Sequence, residues 1–390
     1  MEHKIFHLCS GIRPGGGPAG YLYNLHQSSK SIHANFIVDD SNESKIRSNT
    51  SYNKIKNIPH FLLKNLLCIK YIISLLGLKA TAGEGNVNNY KYVLCHSAPV
   101  AARILKRYKK DKVKIGFMPH GPVSYTVETL DDIEAKYGAL LFRFVYFRIM
   151  SYLENRIFYL ADFIVVAAKE GLESYSDIKV SYEHKLFEVK TGLPPLMCDI
   201  PQNEIRERLD IPRDKFVVGF FGRYNYHKGY DYFYDELELT KNENILFISA
   251  GIGPITKEER TNYKNYGWRT DINELIYACD IVVIPNRHTY FDLLPLECLS
   301  LSRPVAVSFI GGNKKLCDLT QAAIPFNLEK GELSNLLKKL SSDKIYYNRF
   351  NKNAKTSFEQ IFTSAKFVEG HNNLFSSLDD YFLRKNNGRS

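Results

Sequence analysis

Arg223 and Lys228 stand five residues apart in KFVVGFFGRYNYHKGYDYFYDEL, residues 215–237, which reads as a strand, a polar loop and a helix. Two cations on a loop at a strand's carboxyl end can grip a diphosphate from two sides. A second loop of this kind lies in residues 281–312, IVVIPNRHTYFDLLPLECLSLSRPVAVSFIGG. IVVIP is short and β-branched, as a buried strand is, and the polar NRHTYFD follows it. LLPLECLSLS reads as one short helix ending before Arg303-Pro304, and VAVSF as a second buried strand leading into a Gly311-Gly312 turn. The unit is βαβ, with its loop at the edge where open α/β sheets bind ligands. That loop brings main-chain N–H groups to a helix N-terminus and sets Glu297 in the helix's first turns, an arrangement suited to phosphate.

The first half repeats the pattern. KIFHLCS reads as a strand, followed by GIRPGGGPAG and a helical stretch with apolar spacing at Tyr21, Leu22 and Leu25. Residues 15–20 spell G-x-G-x-x-G, and Asp39 and Asp40 lie about twenty residues on, as in a dinucleotide fingerprint. Gly11-Ile12-Arg13-Pro14 intervene between the strand and the first of those glycines, however. The rival reading is a loop whose Gly16 and Gly17 let an acceptor or a diphosphate approach the backbone. YKYVLCHSA is a third strand, ending at His96, and VKIGFMPHGP a fourth, ending at His120-Gly121. A lone histidine there is either a satisfied core residue or an active-site group. Residues 129–160 are helical in character, crowded with aromatic residues and with Arg143, Arg148 and Arg156.

Composition narrows the class. A chain of 390 residues has room for two or three domains. No run is long and apolar enough for a membrane span, and the N-terminus lacks a signal-peptide core. Seven scattered cysteines without a C-x-x-C pair predict free thiols in a reducing cytoplasm and no metal site. Charge is uneven: residues 1–195 hold 26 Lys and Arg against 17 Asp and Glu, the remainder 26 against 25. The excess predicts an anionic partner for the first half. Residues 54–79 carry Lys54, Lys56, Lys64, Lys70 and Lys79 with no acid and a broad apolar set. They read as a core helix with a basic edge or as a segment lying on anionic lipid. No RNP-like or KH-like element is present, so nucleic acid is not expected as a partner.

The stretch 289–298, TYFDLLPLEC, with Pro304-Val305 and Gly311-Gly312, resembles the donor-site signature of retaining nucleotide-sugar glycosyltransferases of the GT-B fold. That signature is commonly written E-G-F-G-L-P-x-x-E-A, then G-x-P-V and GG, and belongs to the large family 4, or group 1, type. Glu297 takes the place of its second Glu. Thr289 replaces the first Glu and Asp292 a glycine. Gly222-Arg223 with Lys228-Gly229 resembles the family's G-R-x(n)-K-G, Gly251-Ile252-Gly253-Pro254 its G-x-G-P, and His120-Gly121 its T-x-H-G.

The resemblance implies an α/β chain of two facing Rossmann-like domains with an interdomain cleft. An acceptor-binding domain is expected over residues 1–195 and a nucleotide-sugar-binding domain over 196–365, with a last helix in 366–390 crossing back to the first. It implies sugar transfer from a nucleoside-diphosphate sugar to a glycan acceptor, lipid-linked, in bacterial surface polysaccharide synthesis, on the inner face of the membrane. Arg223 and Lys228 would bind phosphates with no metal and no other cofactor, aided by main-chain groups near Phe291, Leu293 and Leu294. Glu297 would take the ribose hydroxyls, Gly253 and Arg269 would line the nucleotide's loops, and His120 would sit by the sugar. Asp292 would contact the sugar hydroxyls in place of the carboxylate lost at Thr289. Retention of configuration is implied by the resemblance alone. The competing classes are a nucleotide-sugar epimerase of the same fold, an NAD-dependent oxidoreductase and a non-catalytic sugar-nucleotide-binding module. Epimerised sugar without acceptor, activity with nicotinamide cofactors, and binding without turnover would mark them in turn.

Overall fold

Short runs of Val, Ile and Phe pair into two parallel six-stranded sheets in the computed structural model, which describes residues 2–43, 59–81, 83–109, 112–258 and 260–387. Lys54 and Lys56 lie outside the described residues. Two units divide the chain: Met1–Thr191 with Phe367–Ser390, and Gly192–Lys366.

The first unit runs β1 (Glu2–Leu8), α1 (Gly17–Ser29), β2 (Phe36–Val38), α2 (His60–Leu75), β3 (Tyr90–Cys95), α3 (Ala98–Tyr108), β4 (Lys114–Phe117), α4 (Tyr125–Tyr137), α5 (Arg143–Leu160), β5 (Phe163–Val166) and β6 (Leu186–Glu188). Its strand order is β2-β1-β3-β4-β5-β6, so the order reverses between β1 and β3, a topological switch point. The helical stretch expected over residues 129–160 is two helices. Gly138, at φ 82°, ends α4, since an L side chain is strained there.

The second unit runs α6 (Gln202–Arg208), β7 (Phe216–Phe221), α7 (Tyr230–Thr240), β8 (Ile245–Ala250), β9 (Tyr263–Asn265), α8 (Ile272–Ala278), β10 (Ile281–Ile284), α9 (Leu294–Ser300), β11 (Val305–Ser308), α10 (Gly311–Leu319), β12 (Ala323–Phe326), α11 (Glu332–Ser342) and α12 (Lys344–Ser357). The last helix, α13 (Ser364–Asn387), belongs from Phe367 onward to the first unit. The order β12-β11-β10-β7-β8-β9 puts the switch point between β7 and β10.

Residues along one strand alternate between two cores. Val217, Val282 and Val305 face one cluster, whereas Val218, Ile281, Val283 and Ala306 face the other. A parallel strand covered on both faces is therefore largely apolar along its whole length. Burial of each such Val, Ile or Phe is worth roughly 1.5–3 kcal/mol.

Gly311-Gly312 is no turn: it opens α10. A Cβ on Gly312 would sit 1.7 Å from the carbonyl oxygen of Tyr290, and one on Gly311 2.2 Å from that of Thr289. The pair lets α10 press against the loop that follows β10.

Candidate functional site

The loops after β7 and β10 meet at the second unit's switch point. Gly229, at φ 67°, turns the first loop into α7, and a Cβ there would lie 1.9 Å from the carbonyl oxygen of Pro285. Only glycine lets the two loops touch so closely. Arg287 then locks them. Its guanidinium donates to both oxygens of Asp231, at 2.7 and 2.8 Å, and to the carbonyl of Tyr226 at 2.7 Å. It also stacks on the Tyr226 ring, 3.8 Å from the centroid.

Within that frame Lys228 donates from Nζ to Oδ2 of Asp292 at 2.5 Å. Asn286 Nδ2 donates to the same oxygen at 2.7 Å, and the Lys228 amide is held by Asn225 Oδ1 at 2.9 Å. Burial works to raise the carboxyl of Asp292, but the charge and hydrogen bond of Lys228, with the bond from Asn286, hold it below its ordinary value. Arg223 is exposed; its carbonyl accepts from the Asn225 amide at 3.0 Å, and among the described residues its guanidinium has no hydrogen-bond or ion-pair partner. Its loop is shaped by main-chain bonds from Gly222 to Ala250 and from Tyr224 to Ile252.

Glu297 sits in the first turn of α9, whose first positions include Leu294 and whose N-cap position is Leu293. Burial, and then the charge of Asp292, push its carboxyl up to about 7. Among the described residues no donor reaches that carboxylate. Thr289 is buried, its hydroxyl has no partner among the described residues, and its carbonyl accepts from Gly312 at 3.2 Å. Phe291 packs on the core beneath the loop. Gly253 follows β8 and lies against the main chain of Tyr224, where a Cβ would come within 2.2 Å of a carbonyl oxygen. Arg269 takes both oxygens of Asp271, at 2.7 Å from Nε. Asp271 thus occupies the N-cap of α8 without capping it by its side chain. The unit accordingly brings Arg223, Lys228, Asp292, Glu297, Thr289 and Phe291 to loops around one switch point. It supplies two cations, a carboxylate awaiting a donor, and an unpaired buried hydroxyl.

In the first unit Gly16 is the N-cap of α1 and Gly17 its first residue. Residues 9–16 separate β1 from the helix, more than the tight turn of a dinucleotide fingerprint. They line a cavity of about 240 Å³ with Ser10, Arg13 and Asn42 at its wall. His120 belongs to a row of imidazoles. His96 Nδ1 and His120 Nε2 are 2.8 Å apart, and His7 Nδ1 and His96 Nε2 2.9 Å. His371 of α13 packs on His7 and bonds the Tyr21 hydroxyl at 2.9 Å. Burial holds all four imidazoles neutral, His120 at about 3.

Sequence reasoning did not single out Asn286, Arg287, Asp231 or His371 as site residues. Arg287 carried a signal, since it is a cation in the polar loop that follows a buried strand.

Residues 201–357 match the family model described as Glycosyl transferases group 1. The chain is 26% identical over 197 residues to the UDP-Gal:alpha-D-GlcNAc-diphosphoundecaprenol alpha-1,3-galactosyltransferase of Escherichia coli, covering 46% of this chain and 50% of that one. It is 22% identical over 311 residues to O-antigen chain mannosyltransferase C of Escherichia coli, covering 72% and 81%. The chain thus spans about half the length of the first of these relatives. Among solved structures, HepE of Anabaena in complex with UDP superposes with a TM-score of 0.65 at 16% identity, covering 96% of this chain and 100% of that one. WaaG, a glycosyltransferase involved in lipopolysaccharide biosynthesis, superposes at 0.58 and 14%, covering 94% and 98%. The fold is the GT-B fold of two Rossmann-like domains.

Proposed function

We propose that this chain, a GT-B fold carrying the group 1 glycosyltransferase match in its second unit, transfers a sugar from a nucleoside-diphosphate sugar to a glycan acceptor in surface polysaccharide synthesis. The observation that carries the reading is that two loop cations, Arg223 and Lys228, and the Glu297 carboxylate, to which no described residue donates, come from elements at one switch point. The reaction breaks the anomeric C–O bond while negative charge builds on the departing diphosphate. Fixed cations aimed at that charge stabilise the transition state by about 3 kcal/mol each in a dry site. Glu297 accepts the ribose hydroxyls, and main-chain groups of residues 291–294 assist the phosphates. Retention of configuration belongs to the same reading.

A panel of nucleotide sugars, read by thermal shift and then by transfer to glycan acceptors, tests it, because a bound donor stabilises the folded state by mass action. Failure of every donor to bind would overturn the reading. Stabilisation by NAD alone would favour the oxidoreductase, though the long loop between β1 and α1 speaks against that class.

Two expectations follow from the site's chemistry. Transfer is to proceed undiminished in EDTA, since lysine and arginine supply the charge that a metal supplies elsewhere. Strict dependence on Mn²⁺ or Mg²⁺ would refute this. Donor affinity is to fall as pH drops through about 7, because protonated Glu297 loses its capacity to accept from both ribose hydroxyls. Glu297→Gln is to bind donor more weakly at pH 8 and to lack that inflection. An unchanged inflection in the variant would assign it to another group.

The acceptor is proposed to be lipid-linked, with the chain held on an anionic inner membrane face by α2 and α5. Among the described residues no helix is long and apolar enough to cross a membrane. Seven unpaired cysteines fit a reducing compartment.

A further inference from the structure

Asp292 stands where the related signature has a glycine, beside a site built for a dianion. A carboxylate there repels a diphosphate, so its presence needs a reason. Its Oδ2 accepts from Lys228 at 2.5 Å and from Asn286 at 2.7 Å. It is also the only charged side chain paired with Lys228 among the described residues.

We propose that Asp292 is a built-in counter-ion for Lys228: it aims the ammonium, gives it up to an arriving diphosphate, and retakes it to expel the nucleoside diphosphate. This rests on reading Lys228 as a diphosphate ligand. Asn286, in the loop after β10, donates to the same carboxylate oxygen and so holds it in place. The frame of Gly229, Arg287 and Asp231 fixes the loop that carries Lys228. An unpaired Lys228 would meet the diphosphate with its full charge. A Lys228 already paired meets it with that charge largely neutralised, and binding must first exchange one anion for another. Asp292 is thus a positioning residue whose effect passes through Lys228. It weakens product retention, which limits many transferases whose chemistry is fast.

Asp292→Asn keeps the shape and the bond from Asn286 while removing the charge. With UDP as probe, titration calorimetry at fixed ionic strength is expected to show binding tightened roughly tenfold or more, as loss of one close unit charge implies. Uridine, which has no phosphate, is to bind unchanged. In steady state the inhibition constant for UDP is to fall with it.

The effect is to shrink several-fold in a Lys228→Ala background. Without Lys228 there is no ammonium for Asp292 to hold back from the diphosphate, so removing its charge has little left to release. Unchanged or weaker UDP binding in folded Asp292→Asn overturns the proposal. Equal tightening with and without Lys228 overturns it too, since Asp292 would then act on the phosphates directly. Lys228→Ala alone reports on the underlying reading: if UDP binding survives it intact, Lys228 is no diphosphate ligand and the inference falls with it.

Discussion

Arg223→Ala or Lys228→Ala is expected to lower sugar transfer at least ~100-fold at saturating donor, because each removes charge stabilisation that grows as the diphosphate departs. Folding is to survive both changes. Arg223 is exposed and its guanidinium bonds no described residue, so its truncation leaves nothing stranded. Lys228 leaves Asp292 behind, but Asn286 still bonds that carboxylate. The double variant is to lose less than the product of the single losses, since both cations act on one charge. The measurement is single-turnover transfer with thermal midpoints recorded in parallel. Wild-type rates in either folded variant would sink the assignment of both residues.

The second unit's sheet could be read from the sequence because its strands are covered on both faces. Runs such as Ile281–Ile284 and Val305-Ala306-Val307 are apolar throughout and need no period to be recognised. Arg223, Lys228 and Glu297 were legible for a related reason, since a strand's carboxyl end is marked by where its apolar run stops. Gly311-Gly312 misled. Glycine is poor inside helices, and what makes it necessary at the start of α10 is the approach of the Thr289 and Tyr290 carbonyls, which exists only in space. Asp292 shows the same limit. Its partner Lys228 lies 64 residues away, so the ion pair the fold makes there could not be read from the order of the chain. His7, His96 and His120 look like three unrelated residues until β1, β3 and β4 are known to be neighbours ending on one edge. His371 joins them from α13, hundreds of positions later.

Anionic liposomes are expected to pellet the full chain at low salt and release it at high salt, through the outer face of α2 and α5. The two helices lie side by side, Tyr146 of α5 donating to Asn65 of α2 at 2.8 Å. Leu66, Ile69 and Ile73 of α2 and Phe144, Ile149 and Tyr152 of α5 are all exposed, more apolar surface than water tolerates without a purpose. An apolar furrow of about 420 Å³ runs between them, lined by Ile72, Leu76, Ile149 and Tyr152, with Arg148 on its wall. Lys70, Arg148 and Arg156 are exposed on the same helices, and α2 has no acid to offset them. Each such cation near an anionic bilayer contributes ~1 kcal/mol, an attraction confined to about a Debye length. Inserted side chains add a salt-resistant part. Lys64 is a poorer target than its position suggests, because its ammonium already bonds the Ala139 carbonyl. Lys70→Glu with Arg148→Glu is therefore to abolish pelleting at low salt, while Ile69→Ser with Phe144→Ser is to weaken it without altering its salt dependence. Binding of a soluble donor is to be untouched in both, since neither pair lies in the second unit. Indifference to lipid charge, or full pelleting by both double variants, would show that this face meets something other than a membrane.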